Sequence, residues 1–328
     1  MSPEVTLLAA VALPFVALPA VLALHRRPNL REAATLVTAL CLVLLVLSLA
    51  NQVQQGARPA ARVVETLPGL AIAFEAEPLG VLFALLASFL WLVTSVYSIG
   101  YMRGHGEAHQ TRFYACFAAA LGSTMGVALA GNLFTLFIFY ELLTLTTYPL
   151  VTHSGDAAAR RAGRVYLGLL LGSSVAFFLL ALVATWSLTG TLAFRHGGIL
   201  AGVVSPGTAA ILLALYLFGI GKAALMPLHR WLPAAMVAPT PVSALLHAVA
   251  VVKAGVFGFV RIVCYVFGVD LMQALGLGLM LGIVASFTML VGSFFAIGED
   301  NLKRRLAFST ISQLSYILFG AALLSSYG

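Results

Sequence analysis

Ten apolar runs divide this chain, near residues 5–24, 33–51, 78–100, 112–130, 132–151, 164–189, 208–226, 241–266, 271–297 and 304–325. A helix needs about 20 apolar residues to cross a bilayer core, and lipid offers no water to an unpaired backbone. The runs therefore predict an all-α, polytopic membrane protein with about ten transmembrane helices. Apolar residues make up 61% of the chain and charged residues 9%. Soluble domains carry about a quarter charged residues, so that class is excluded. Strand-type alternation is absent, which excludes a barrel. Gly131-Asn132 alone separates the fourth and fifth runs and reads as a tight turn. Segment 228–237 is amphipathic and too short to span. Loop 51–77 is the longest polar stretch and is expected to form an outward cap. The first run begins beside Glu4 and has no clear cleavage site, so no cleavable signal peptide is expected.

Numbering the loops alternately gives the orientation. The side opposite the N-terminus collects Arg26, Arg27, Arg31, Arg103, Arg112, Arg160, Arg161, Arg164, Arg230, Lys303, Arg304 and Arg305. The N-terminal side collects Arg58, Arg62, Arg195 and Arg261. Basic loops stay cytoplasmic, so both termini should face outward. The net charge of +7 reflects this topology and does not point to nucleic acid. Of the eighteen basic residues, two are left over, Lys222 and Lys253.

An ionisable residue within a span is costly and by default paired and functional. Glu141 is the one acid deep inside a run, with Thr144 and Tyr148 following at i+3 and i+7 on one helical stripe. Lys222 lies five residues before Pro227, where a helix should break. Pro233, Pro239 and Pro241 keep the connection irregular, and such breaks at membrane depth build ion sites in transporters. His247 and Lys253 share the eighth run but not one helical face, so they suit successive steps of a path. Glutamate, histidine and desolvated lysine can all change charge near neutral pH, whereas arginine does not deprotonate in proteins. In the last run Ser309, Ser312 and Tyr316 follow helical spacing with Gln313 beside them, as a hydrated extension of the path or as polar contacts between helices.

Bland alternatives stand beside these readings. A Glu–Lys pair can be a static bridge, and His247 a satisfied core histidine. His229 and Arg230 read as snorkelling at the cytoplasmic interface. His105, Glu107 and His109 resemble a metal cluster only weakly, and no metal site is assigned. The GxxxG spacings Gly122/Gly126 and Gly168/Gly172 read as close helix packing. Cys41, Cys116 and Cys264 read as small buried hydrophobes. No nucleotide or nucleophile motif is present, and no cofactor is expected.

The stretch PLHRWLPAAMVAPTPVSALLHAVAVVKAG (227–255) resembles the signature of the proton-conducting, antiporter-like membrane subunits of complex I, membrane-bound hydrogenases and Mrp-type cation/proton antiporters. YSIGYM (97–102), FYELLTLTTYPL (139–150) and NLKRRLAFSTISQLSY (301–316) resemble further family motifs in the expected order. The wording leans toward the Mrp D-type and hydrogenase-type branches, and the likeness covers most of residues 70–325. It implies two inverted five-helix repeats, each with a broken helix, around a buried charged axis. On that pattern Glu141 matches the fifth-helix glutamate that tunes the lysine. Lys222 matches the broken-helix lysine, and Lys253, with His247 beside it, the lysine that passes the proton on.

The resemblance divides the chain into an N-terminal three-helix segment (1–111), a first five-helix repeat (112–266) and the first two helices of a second repeat (267–328). Family members have about fourteen helices against ten here, so the second repeat is expected to be incomplete. Glu77 stands where aspartate is expected. The implied function is proton translocation in a prokaryotic plasma membrane, within a Mrp-, hydrogenase- or complex I-like assembly. Protons, with Na+ or K+ as candidate exchanged ions, would be the cargo, and partner subunits would supply the coupling energy. The alternatives are a scaffold subunit without conduction, or the membrane partner of an inorganic-carbon-capturing complex.

Overall fold

The computed structural model describes residues 2–245 and 249–325 and is mostly helical. Among the described residues, six helices are long and apolar enough to cross a membrane: Pro3–Ala23, Pro28–Gln54, Pro78–Gly104, Leu133–Val151, Ala157–Thr189 and Leu277–Gly298. The chain divides into two compact units, residues 1–160 with 237–251 and residues 161–236 with 252–328.

In the first unit, local chemistry sets the helix starts. Helix α1 (Pro3–Ala23) is capped by the Ser2 hydroxyl, which accepts from the Val5 amide, and it begins with proline. Helices α2 (Pro28–Gln54) and α3 (Pro78–Gly104) also open on proline. Helix α4 (Gln110–Ala128) turns within four residues into α5 (Leu133–Val151), where the Asn132 side chain accepts from the Thr135 amide. Helix α1 packs on α2 and α4, and α4 on α5. The Phe15 ring fills the space over Gly122 and the Phe139 ring that over Gly126. This GxxxG pair thus receives aromatic rings rather than a helix backbone.

Segment 51–77 is not an irregular loop, and the all-helical expectation misses an element there. Helix α2 runs on to Gln54, and β1 (Ala60–Leu67) and β2 (Leu70–Glu75) form an antiparallel hairpin with Leu67 opposite Leu70. Pro68-Gly69 is the two-residue turn, and Gly69 has φ +80°, as the third position of a type II turn requires. The α4–α5 turn holds the hairpin. Glu75 N–H donates to the Leu129 carbonyl (2.8 Å), and Gly131 N–H to the Ala73 carbonyl (2.8 Å). The Asn132 amide donates to Ala71 O (2.8 Å), and Ala73 N–H donates to the Thr135 hydroxyl (3.0 Å).

The second unit is built from a long interrupted helix and a helical pair. Helix α6 (Ala157–Ser173) passes through a π-turn (Ser174–Phe178) into α7 (Leu179–Thr189), which ends on Gly190 in the left-handed region, φ +68°. Helix α8 (Pro206–Gly219) is capped by Ser205. Beyond it lie 3₁₀ turns and the short α9 (Trp231–Ala234). The first unit takes up the chain for α10 (Thr240–Ala244). The second unit resumes along α11 (Val251–Arg261), a π-turn (Ile262–Phe267) and α12 (Val269–Ala274). Helix α13 (Leu277–Gly298) then packs on α14 (Leu302–Ala322).

Three expectations change here. The helix predicted over 208–226 ends at Gly219, eight residues before Pro227. Gly168 and Gly172 have nothing within 4 Å of a would-be Cβ, so no close helix contact forms there among the described residues. Cys41 is exposed rather than buried, on the α2 face that also exposes Val37, Leu40 and Leu44.

Candidate functional site

Lys222 is fully buried and sits in the 3₁₀ turn Gly221–Ala223 that follows α8. Three glycines let neighbouring segments close around it. A Cβ on Gly219 would lie 2.4 Å from the Phe178 amide nitrogen, in the π-turn. One on Gly221 would lie 2.4 Å from the Ser173 hydroxyl oxygen. One on Gly255 would lie 2.3 Å from Ala223 N and 2.5 Å from the Lys222 carbonyl carbon. Helix α11, which carries Lys253 two residues earlier, therefore rests directly on the lysine turn. Lys253 itself is partly buried.

The turn is pinned by its own hydrogen bonds. The Trp231 indole N–H donates to the Gly221 carbonyl (2.9 Å), and its ring meets Tyr166 edge-on at 5.5 Å. Met226 N–H donates to the Thr288 hydroxyl of α13 (3.2 Å). Ala224 takes a left-handed conformation, φ +55°, which is uncommon for a residue with a side chain. Such a conformation persists where the surrounding contacts over-determine it.

In the first unit Glu141 lies midway along α5, and both its carboxylate oxygens are buried. Thr144 is fully buried and its hydroxyl donates to the Tyr140 carbonyl (3.3 Å), while Tyr148 is half-buried. His247 lies outside the described residues. On α14, Ser312 is buried between helices: its hydroxyl donates to Met289 O (2.9 Å) and lies 2.9 Å from that of Ser293. Ser309 is half-buried, and Gln313 and Tyr316 are exposed. His229 is half-buried, and burial holds its imidazole below the ordinary range. Of the weak metal group, His105 stacks on Tyr101 (4.2 Å). Glu107 instead points to His153 at 4.0 Å.

Two ionic clusters escape the sequence reading. Glu32, buried at the start of α2, bonds Arg103 of α3 and its neighbour Arg31 (3.5 Å). Arg31 also donates to Thr111 (2.9 Å) and Gln110 (3.0 Å). The apolar run begins after Glu32, so that residue looked like loop. Arg261 is not a loop residue either. It is buried at the end of α11, where the π-turn begins, its guanidinium 4.0 Å above the Phe194 ring and within 6 Å of Phe257 and Tyr265. Phe257 and Tyr265 lie four residues on either side of Arg261, a signal that helical spacing could have revealed.

Comparison with known proteins follows the same residues. Residues 130–328 match the family model described as NADH:quinone oxidoreductase/Mrp antiporter, TM, and this range contains Glu141, Lys222, His247 and Lys253. A probable K(+)/H(+) antiporter component of Rhizobium meliloti is 34% identical over 76% of this chain and 24% of its own length. NAD(P)H-quinone oxidoreductase chain 5 of Synechocystis is 32% identical over 77% of this chain and 37% of its own. The chain thus spans about a quarter to a third of the curated relatives it matches. Among solved structures, the Mrp complex from Dietzia contains a chain similar at TM-score 0.85 and 26% identity, over 98% of this chain and 59% of that one. The archaeal membrane-bound sulfane sulfur reductase contains another, at TM-score 0.85 and 25% identity, over 96% of this chain and 64% of that one.

Proposed function

The chain belongs to the NADH:quinone oxidoreductase/Mrp antiporter membrane family, and from that premise we propose that it moves protons through Glu141, Lys222, His247 and Lys253. Lys222 holds the proton on its amine. The Glu141 carboxylate raises its affinity when close and releases it when the pair separates. His247 and Lys253 take the proton onward. The ten expected spans, the inverted repeats and the reading of the α8 interruption as a broken helix belong to this proposal. So do both termini facing outward and a prokaryotic plasma membrane. Partner membrane subunits supply the driving energy, with K+ or Na+ as the exchanged ion in an Mrp-like setting.

The observation that carries the reading is a fully buried lysine in a 3₁₀ turn just past a helix end, packed through Gly219, Gly221 and Gly255. A lysine kept only for packing has no need of a terminus built so closely around it. The test is proton flux in vesicles bearing the assembled complex, with Lys222→Ala. Loss of flux with the complex intact is expected. Loss of assembly instead would make Lys222 a static bridge.

A further inference from the structure

We infer that His153, paired with Glu107, collects protons at the end of α5 and loads them onto that helix toward Glu141, an inference that rests on the proton movement proposed above. His153 follows the last turn of α5, its N–H donating to the Leu150 carbonyl (3.3 Å). Its side chain is 2% exposed, and neither ring nitrogen makes a hydrogen bond of ordinary geometry among the described residues. A buried polar ring without fixed partners is costly, so packing alone gives no reason for histidine here. The main chain is nevertheless tied down: the Arg112 guanidinium donates to the His153 carbonyl (2.7 Å). The ring meets Phe113 of α4 edge-on at 6.1 Å. These contacts lie within the first unit, and anything packed outside it can only deepen the burial.

Glu107 lies in the turn between α3 and α4, with its N–H donating to the Met102 carbonyl (3.0 Å). Its carboxylate stands 4.0 Å from His153 Nε2, a gap that one bridging water closes. The groups facing the ring pull in opposite directions. Burial disfavours the charged imidazole most, and Arg112 of α4 and His109 of the turn add to this, while Glu107 and the Ala108 carbonyl favour it. Asp156, three residues on, has its carboxylate engaged by the Ala159 amide (2.7 Å). A proton on the ring is therefore passed on rather than stored. It arrives from the Glu107 carboxyl, whose O–H bond breaks as the Nε2–H bond forms, and the Nδ1–H bond breaks as a proton leaves toward α5. With neither nitrogen locked, the ring can accept on one side and release on the other. Twelve residues of helix rise about 18 Å, too far for one transfer. Thr152, Tyr148 and Thr144 fill that distance at helical spacing on the stripe of Glu141, and each hydroxyl can both donate and accept.

The test is the pH profile of proton flux, across the alkaline range, in vesicles bearing the assembled complex. Without its collector the path waits on free protons, so flux through His153→Gln should fall by about tenfold per pH unit, while the wild type changes far less. Glu107→Gln should steepen the profile in the same way, and combining the two should add nothing, because both act in one step. A residue that only packs would lower flux by the same factor at every pH. Such a uniform loss, or a wild-type profile in His153→Gln, would overturn the inference. If His153→Gln does not assemble, Glu107→Gln decides, because its side chain is 28% exposed and lies in a turn. Lys222→Ala in the same vesicles keeps the two readings apart. Its loss of flux beside a wild-type profile for His153→Gln removes the collector alone, whereas flux that survives Lys222→Ala removes the path it would feed.

Discussion

Gly255 leaves no room for a side chain above Lys222: a Cβ there would stand 2.5 Å from the lysine carbonyl carbon and 2.9 Å from its Cβ. Two backbones meet at this point, and neither can yield as a flexible side-chain tip would. Gly255→Ala should therefore push α11 off the lysine turn. Overpacking of this kind costs about 1–3 kcal/mol. A lowered melting temperature in detergent, together with reduced proton flux, is the expected result. An unchanged melting temperature would show that the contact has room to relax.

Trp231 holds the same turn from its other side. Trp231→Phe keeps an aromatic ring but removes the indole donor to the Gly221 carbonyl, which then accepts only from the Ala224 N–H (3.0 Å). The expected loss is about 0.5–1.5 kcal/mol, the net contribution of one hydrogen bond. Chemical denaturation in mixed micelles measures it, and a Trp231→Phe protein as stable as the wild type would show that the bond adds nothing to the turn.

Glu32 ties α2 to α3 through Arg103 and to its own neighbour Arg31. Glu32→Gln keeps the shape and removes the charge, leaving Arg31 buried without its carboxylate. We expect a loss of about 1–3 kcal/mol, as for hydrogen bonds to charged groups. Arg103→Gln should cost less, because the Arg103 side chain is 45% exposed. Comparing the two melting temperatures checks the order.

His153 predicts a pH dependence. Burial, and then the charge of Arg112, hold its imidazole below the ordinary value of 6.5, against the opposing pull of Glu107; His109 adds a smaller depression. The folded pKa is thus below the unfolded one, and the unfolded chain binds more protons between the two values. Stability is fully present above about 6.5 and is lost as pH falls through and below that value, down to the folded pKa. His153→Asn should flatten the melting temperature between pH 7.5 and 5.5. A slope as steep as the wild type's would place the titrating group elsewhere.

The helical framework was legible because each span must bury a long apolar run, and caps such as Ser2, Asn132 and Ser205 mark starts in the sequence itself. The turn at 131–132 falls where the two runs part. The hairpin at 60–75 was not legible, although Pro68-Gly69 is a turn signal. Its strands are short, and Ala60-Ala61 and Ala71 to Ala73 blur the alternation that would reveal them. Lys222 stood out because lysine is rare in this chain. The way it is held did not, because Gly219, Gly221 and Gly255 matter only for what approaches them in space. Glu32 was missed because α2 starts before the apolar run that defines it, and Arg261 because, although inside the eighth run, it was counted with the basic residues of the following loop.

The bond from Trp231 to the lysine turn has an optical consequence. The chain has three tryptophans. Trp91 is buried with its indole N–H unbonded among the described residues, and Trp186 is 38% exposed. Among the described residues, Trp231 is the tryptophan hydrogen-bonded to the segment that carries Lys222. With Trp91 and Trp186 replaced by phenylalanine, its emission becomes a native reporter of that segment, with no label added where a label would not fit.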